Sequence, residues 1–342
     1  MKGLRARMSL LLVGAGAKAE SRDLAGKSPL DAAIAGVDPH TVGVLLAAGA
    51  CVGQAPDWDL NPALVVLRNG NETRLRTLLA RGPWRTARDR EGRQLLHHAS
   101  LLGRHRLLPL LLKTGFAVDD RDAAGDTPLH LACRGGHLLC AEALLDRGAP
   151  LEARNQAGET PLHLVAGHPQ LLRLLLFSGA EPSQRDRQGR ACVHRLSLSG
   201  DGRGLEVLLE RHPACTWQRG PGGATPLHLA CERGDRDLCA ALIKHGSHLE
   251  TADDDGLTPL LAACSYGSAE VIRLLLAHEV RIGVFDNKGR GVLHHLIDGA
   301  NPDPGLVEEL IRAGADPNRR DDAGRSPLHL VAELPEEILV GK

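Results

Sequence analysis

The chain has 342 residues, 43% hydrophobic and 24% charged, with 41 basic and 42 acidic side chains interspersed along it. That balance excludes the basic stripe of a nucleic-acid binder, and no apolar run reaches the roughly 18 residues of a membrane-spanning helix. Aromatic residues make up only 2%, so the core is expected to be thin layers of Leu, Val and Ala.

The first element is expected around "LLLV", residues 10–13, after the basic start "MKGLRAR". A basic lead followed by an apolar run resembles a secretory signal, but the register argues against it. "AGAKAESRDLAG" at 15–26 aligns with "AGADPNRRDDAG" at 313–324 in its Ala-Gly-Ala, Arg-Asp and Ala-Gly columns. Residues 1–22 are therefore expected to be the second half of an incomplete unit, and 23–342 a continuous array.

Downstream, "TPLHLACRGGH" at 127–137 returns as "TPLHL" at 160–164, "TPLHLACERG" at 225–234, "TPLLAAC" at 258–264 and "SPLHL" at 326–330. Following the fourth residue of this motif gives Asp31, Leu64, His97, His130, His163, His194, His228, Leu261, His294 and His329. The spacing is 33 residues at most steps, with one of 31, one of 34 and one of 35. Such a period is the mark of a repeat architecture.

Each unit reads the same way. Thr127 is placed to cap a helix whose first residue is Pro128, where no N–H is needed. Leu129, Ala132 and Cys133 form a narrow apolar face, and Gly136 ends the helix by accepting a turn conformation. A second helix carries Leu144 and Leu145 and stops at Gly148. "NQAG" before Thr160 supplies the turn into the next unit. Two short helices cannot bury their faces alone, so neighbours must stack as a solenoid with one continuous core.

Some units are weaker, and the degenerate stretches are expected at about 54–86 and 186–219. "NPALVVL" at 61–67 lacks the histidine, and "ACVHRLSLSG" at 191–200 loses the Thr-Pro pair. "VAGHPQLL" at 165–172 is two residues short at the junction between helices, and "GANPDPG" at 299–305 carries extra residues. After "SPLHLVAEL" no second half follows, so the last unit is expected to be truncated.

The pattern D-x-x-G-x-T-P-L-H-x-A, followed by Leu-Leu and Gly-Ala, resembles the ankyrin repeat, and residues 122–132, "DAAGDTPLHLA", match it at every defined position. The resemblance implies an all-α solenoid of about ten helix-turn-helix repeats with β-hairpin fingers. It also implies a concave face that binds other proteins, and a column histidine that hydrogen-bonds locally, tying hairpin to helix.

Several constellations could carry chemistry, and each has a plainer reading. Seven of the 17 histidines occupy the repeat column, about 10 Å apart by helix packing, too far for one metal ion. His97–His98 and His294–His295 point to different sides of a helix. "SGDGRG" at 199–204 lacks the Lys-Ser/Thr of a phosphate loop and falls where two helices should join. "DDDG" at 253–256 begins like a calcium loop, but Cys264 stands where a bidentate Glu is needed. The cysteines contain no C-x-x-C pair; Cys133, Cys231 and Cys264 sit in one buried column, fitting a reduced, cytoplasmic setting. No catalytic residue, metal ligand or cofactor site is expected.

What remains is surface. Helix ends facing the groove hold Leu101, Leu102, Arg134, Glu232, Arg233, Ser265 and Tyr266. Fingers contribute Arg90, Glu91, Arg93, Asp126, Glu159, Asp254 and Asp255. Exposed Leu or Tyr beside Arg is the composition of interface hot spots, although Leu101 and Leu102 could equally pack neighbouring repeats. Trp58, Trp84 and Trp217 fall between repeats, as interface anchors or as gap fillers. The expected function is a non-catalytic scaffold or adaptor: a monomer that binds a protein partner and contacts neither nucleic acid nor membrane. The alternative is a recognition segment of a larger membrane-tethered or enzymatic protein.

Overall fold

The computed structural model describes residues 4–24, 26–35, 41, 44–45, 48, 62–80, 87–299 and 303–333. Trp58 and Trp84, with the rest of residues 54–61 and 81–86 of the degenerate stretch, lie outside them. The described residues are helical, with no strand, and divide into two compact units, residues 1–156 and 157–342.

In the first unit the helices Pro29–Ala35, Pro62–Arg68, Leu95–Leu101 and Pro128–Arg134 pack in succession. Behind them Leu108–Lys113 packs on Leu138–Leu145. In the second unit Cys192–Ser199, Pro226–Arg233, Pro259–Tyr266, Val292–Ile297 and Pro327–Glu333 form the inner series. Pro169–Phe177, Gly202–Leu209, Arg236–Lys244 and Ala269–Leu276 form the outer one. The seam between series is leucine, alanine and cysteine: Leu129, Ala132, Cys133, Leu227, Cys231, Leu242 and Leu275 are all fully buried. Each buried leucine contributes about 1.5–3 kcal/mol, which supplies the cohesion that aromatic residues give elsewhere.

The polar half of each repeat is organised by its column histidine. His130 Nδ1 accepts the Thr127 N–H at 3.1 Å and lies 2.8 Å from the Thr127 hydroxyl. The same pairing recurs at Thr160–His163 and Thr225–His228. With Nδ1 accepting, the proton sits on Nε2, and that nitrogen donates into the next repeat. His97 reaches Asp120 O at 3.2 Å, His163 reaches Arg190 O at 3.1 Å and His228 reaches Leu257 O at 2.9 Å. His194 and His294 do the same to Gln218 O and Arg325 O, both at 3.0 Å. The bond that ties helix to finger thus also ties one repeat to the next, and both ring nitrogens are engaged. At Ala191 and Gly291 no hydroxyl exists, and only the N–H half of the pairing remains.

The fingers differ from the expected β-hairpins. Among the described residues one isolated bridge, Phe285 to Gly291, is the nearest thing to a ladder. Most fingers are tight turns closed by their own aspartate, as in Asp122 N–H donating to Asp126 O and Gly125 N–H to Asp122 O. Asp122 Oδ1 meanwhile accepts the N–H groups of Ala124 and Asp126, both at 2.9 Å. A side chain that absorbs the turn's donors leaves too few backbone pairs for a strand. Consecutive fingers join through Ala123 N–H to Glu91 O at 2.7 Å and Asp254 N–H to Gly222 O at 2.9 Å.

The irregular units resolve simply. The two-residue deletion falls on the first helix, which shrinks to a single 3-10 turn at Pro161–Leu164, and not on the junction. "SGDGRG" is a capped turn: Gly200 takes the left-handed conformation at φ 75°, and Asp201 Oδ1 accepts the Gly204 N–H at 2.9 Å. "DDDG" is a finger whose Asp253 carboxylate accepts the Asp255 and Leu257 N–H groups.

Candidate functional site

The first helices Leu95–Leu101, Pro128–Arg134, Cys192–Ser199, Pro226–Arg233, Pro259–Tyr266 and Val292–Ile297 are largely buried and surface mainly at their C-terminal ends, whereas Pro327–Glu333 is open from its start, with Leu328 74% exposed. In the first unit Leu102 is 39% exposed, while Leu101 is half-buried and its carbonyl accepts His137 Nε2 at 2.9 Å. Arg134 is exposed beside it, and Arg90 and Glu91 form the preceding exposed finger tip. Arg93 is half-buried, 3.3 Å from Asp122.

In the second unit Arg233 and Tyr266 project one repeat apart, with Tyr266 51% exposed. Arg233 Nη1 donates to Leu198 O at 2.9 Å, laying the guanidinium over Gly200. Glu232 is half-buried; burial, then the nearby Asp253, push its carboxyl above the usual range. Asp254 and Asp255 are an exposed tip, and Asp254 meets Arg219 at 3.2 Å.

Asp126 and Glu159, expected at the finger tips, are corrected by the structure: they are 1% and 9% exposed. Arg134 contacts Asp126 at 2.6 Å and Asn155 Nδ2 donates to it at 2.9 Å. Burial alone would lift the Asp126 pKa, but these hydrogen bonds outweigh it and hold the carboxyl below its usual range. Arg195 holds Glu159 at 2.5 Å. Both acids brace the fingers from inside, because the position four before the column histidine faces the helix end rather than solvent.

Ser265 looks like part of a catalytic relay. Its Oγ lies 2.8 Å from His295 Nδ1, and His295 Nε2 lies 3.1 Å from Asp286. The geometry stops there. Ser265 Oγ also donates to Leu261 O, Arg290 binds Asp286 at 2.9 Å, and the amides of Gly267 and Ser268 are spent on Cys264 O and Ala263 O. No pair of N–H groups is left to stabilise an oxyanion. The network positions a helix end. His98 likewise meets Asp89 at 2.8 Å, so the second histidine of each doublet serves the finger.

Two features escaped the sequence reading. One is an arginine column directly before the finger position that holds Asp89, Asp122, Asn155, Asp186 and Gly220: Arg88, Arg121, Arg154, Arg185 and Arg219. Arg88 Nη1 donates to Gly92 O at 2.7 Å and to Arg121 O at 3.1 Å; Arg185 Nη1 does so to Gly189 O and Arg219 O. Arg88, Arg121 and Arg185 each clasp their own finger and the next. The column's signal was the repeat spacing, 33, 33, 31 and 34 residues between successive members. The other is that aromatics are spent on the surface: of the five described, Phe177, Trp217, Tyr266 and Phe285 are exposed and only Phe116 is buried. Arg319 stacks 4.0 Å over Phe285, and Trp217 Nε1 donates to Gly246 O at 2.8 Å beside His248.

A cleft of about 490 Å³ beside the helix Leu4–Gly14 is lined by Met8, Leu12, Val13, Ala32, Arg5 and Lys18, and the described residues that line it include no acid, histidine or thiol. Among the described residues no group of three His, Cys, Asp or Glu is placed to hold a metal ion, and no helix is long and apolar enough to cross a membrane.

The model of ankyrin repeats (3 copies) matches residues 96–186 and 193–286. Similar proteins include E3 ubiquitin-protein ligase KEG of Arabidopsis thaliana, 32% identical over 157 residues, 40% of this chain and 9% of that protein. Transient receptor potential cation channel subfamily A member 1 of Homo sapiens is 35% identical over 174 residues, 47% of this chain and 15% of that protein. The chain therefore spans less than a sixth of the length of either relative. Among solved structures, the human ASB11 ankyrin repeat domain aligns with a TM-score of 0.59 and 28% identity, covering 66% of this chain and all of that one. The ankyrin repeat domain of Bcl-3 aligns at 0.53 and 29%, covering 60% and 94%.

Proposed function

Because the chain belongs to the ankyrin-repeat family, whose repeats are generally non-catalytic protein-interaction modules, we propose that it acts as a scaffold or adaptor. Each unit offers a partner its own first-helix ends and finger tips: Leu102, Arg134, Arg90 and Glu91 in the first, Arg233, Tyr266, Asp254 and Asp255 in the second. The observation that carries this reading is the placement of large side chains. A chain with few aromatics exposes Tyr266 beside Arg233 while burying most other first-helix side chains, and such pairs anchor interfaces.

The relatives, far longer than this chain, motivate a second reading: the array is the recognition segment of a larger multidomain protein. The two are compatible, since the binding surface is the same in both.

The test is capture from an extract of the source organism with the chain and with a Leu102→Asp, Arg233→Glu, Tyr266→Ala variant of unchanged circular dichroism and melting. Proteins retained by the chain should fall at least tenfold with the variant. Equal recovery by both overturns the proposed surface.

A further inference from the structure

Three repeats of the second unit end their first helix on an acid, and one of them lacks the cation that the other two provide. The residue four before the column position stands at the finger base, and the residue four after it at the helix end. In the His294 repeat these are Arg290 and Asp298, at 3.5 Å, and in the His329 repeat Arg325 and Glu333, at 3.9 Å. The His130 repeat of the first unit makes the same pair with polarity reversed, Asp126 and Arg134 at 2.6 Å, so the geometry rather than one residue type sets the pairing. Each finger-base arginine is held in addition by its finger aspartate, Arg290 by Asp286 and Arg325 by Asp321.

In the His228 repeat the helix end is Glu232, as acidic as Asp298 and Glu333, but the finger base is Ala224. The finger aspartate is missing too, replaced by Gly220. The neighbouring cations are committed elsewhere: Arg233 turns away to Leu198 O, and Arg219 pairs with Asp254. Asp253 on the next finger adds a second negative charge. Glu232 is thus a half-buried carboxylate whose finger base supplies a methyl group, where its counterparts face a guanidinium.

We propose that this vacancy is a specificity pocket for a protein partner carrying a basic side chain, whose arginine or lysine enters beside Ala224 and pairs with Glu232. The proposal rests on the binding-surface reading above and deepens it. Ala224 carries only a methyl group where Arg290 and Arg325 carry long stems in their repeats. A cation arriving there relieves the repulsion between Glu232 and Asp253, so the partner's charge is favoured by electrostatics already built in. Tyr266, exposed on the next helix end, offers a ring face to the same segment.

The test uses the full chain against a displayed library of random 16-residue peptides, with the selected peptides then measured by fluorescence anisotropy. Selected sequences should share an arginine or lysine. Its replacement by alanine should weaken binding about tenfold, matching a part-buried charge pair. Glu232→Gln should weaken binding to a similar degree. Ala224→Arg, which fills the vacancy from within, should also weaken it, while leaving melting unchanged or raised. Peptides bound at the surface but indifferent to both variants overturn this inference and leave the scaffold reading intact. Selection of peptides unaffected by Tyr266→Ala and Arg233→Glu as well, or of none, overturns both.

Discussion

His194 gives the array a measurable acid sensitivity. It is buried, its Nδ1 accepts the Ala191 N–H at 3.1 Å, and its Nε2 donates to Gln218 O. Burial lowers its pKa from 6.5 to about 4. An unfolded chain takes up this proton below about pH 6.5, whereas the folded chain resists until about pH 4. Its stability contribution is therefore complete above pH 6.5 and is lost as pH falls toward 4. At pH 5 the loss from this residue alone is about 2 kcal/mol, accumulating at about 1.4 kcal/mol for each pH unit below the unfolded-chain value. The assay is urea unfolding at pH 7.5 and pH 5 in a Trp58→Phe, Trp84→Phe background. Trp217, next to Gln218, then reports on this junction. A His194→Leu variant, with the residue found at Leu64 and Leu261 in the same column, should be less stable at pH 7.5. At pH 5 the gap should close by about 2 kcal/mol. A gap constant to within about 0.5 kcal/mol would refute the argument that His194 is held neutral by burial.

Three further outcomes follow from packing. Gly158→Ala should destabilise more than Gly189→Ala: both glycines are left-handed, at φ 76° and 78°, but a Cβ at 158 would lie 2.8 Å from the Arg187 N while at 189 it meets nothing. Thermal melting should show about 1 kcal/mol for the open site and clearly more for the crowded one; equal losses would contradict this. Arg134→Ala and Asp126→Ala should each destabilise, and the double variant should fall short of their sum by about 1–2 kcal/mol; strict additivity in a denaturation cycle would show the pair is not coupled. The seven described cysteines are all buried, with burial pushing Cys140 and Cys264 up to about 12 and Cys215 to about 11. A disulfide reagent at pH 8 should label them only after denaturant is added, and fast labelling of two or more in the native chain would count against that packing.

The sequence by itself determined the repeat. The period, the proline-led helices, the glycine turns and the apolar columns are all local and are enforced within each 33-residue unit, so the linear string carries them. The histidine column was legible for the same reason, since its bond to the capping residue spans three positions. Tertiary structure decided what crosses from one repeat to the next. That His228 donates to Leu257, that Arg88 clasps the following finger, and that Asp126 and Glu159 turn inward depend on distances between residues about 30 positions apart. A periodic sequence presents each such residue identically, and only stacking settles which partner it meets. The same holds for Glu232: as a residue type it is an ordinary surface acid. It is marked out because Ala224 stands where other repeats place an arginine, and the burial beside it makes that missing charge matter.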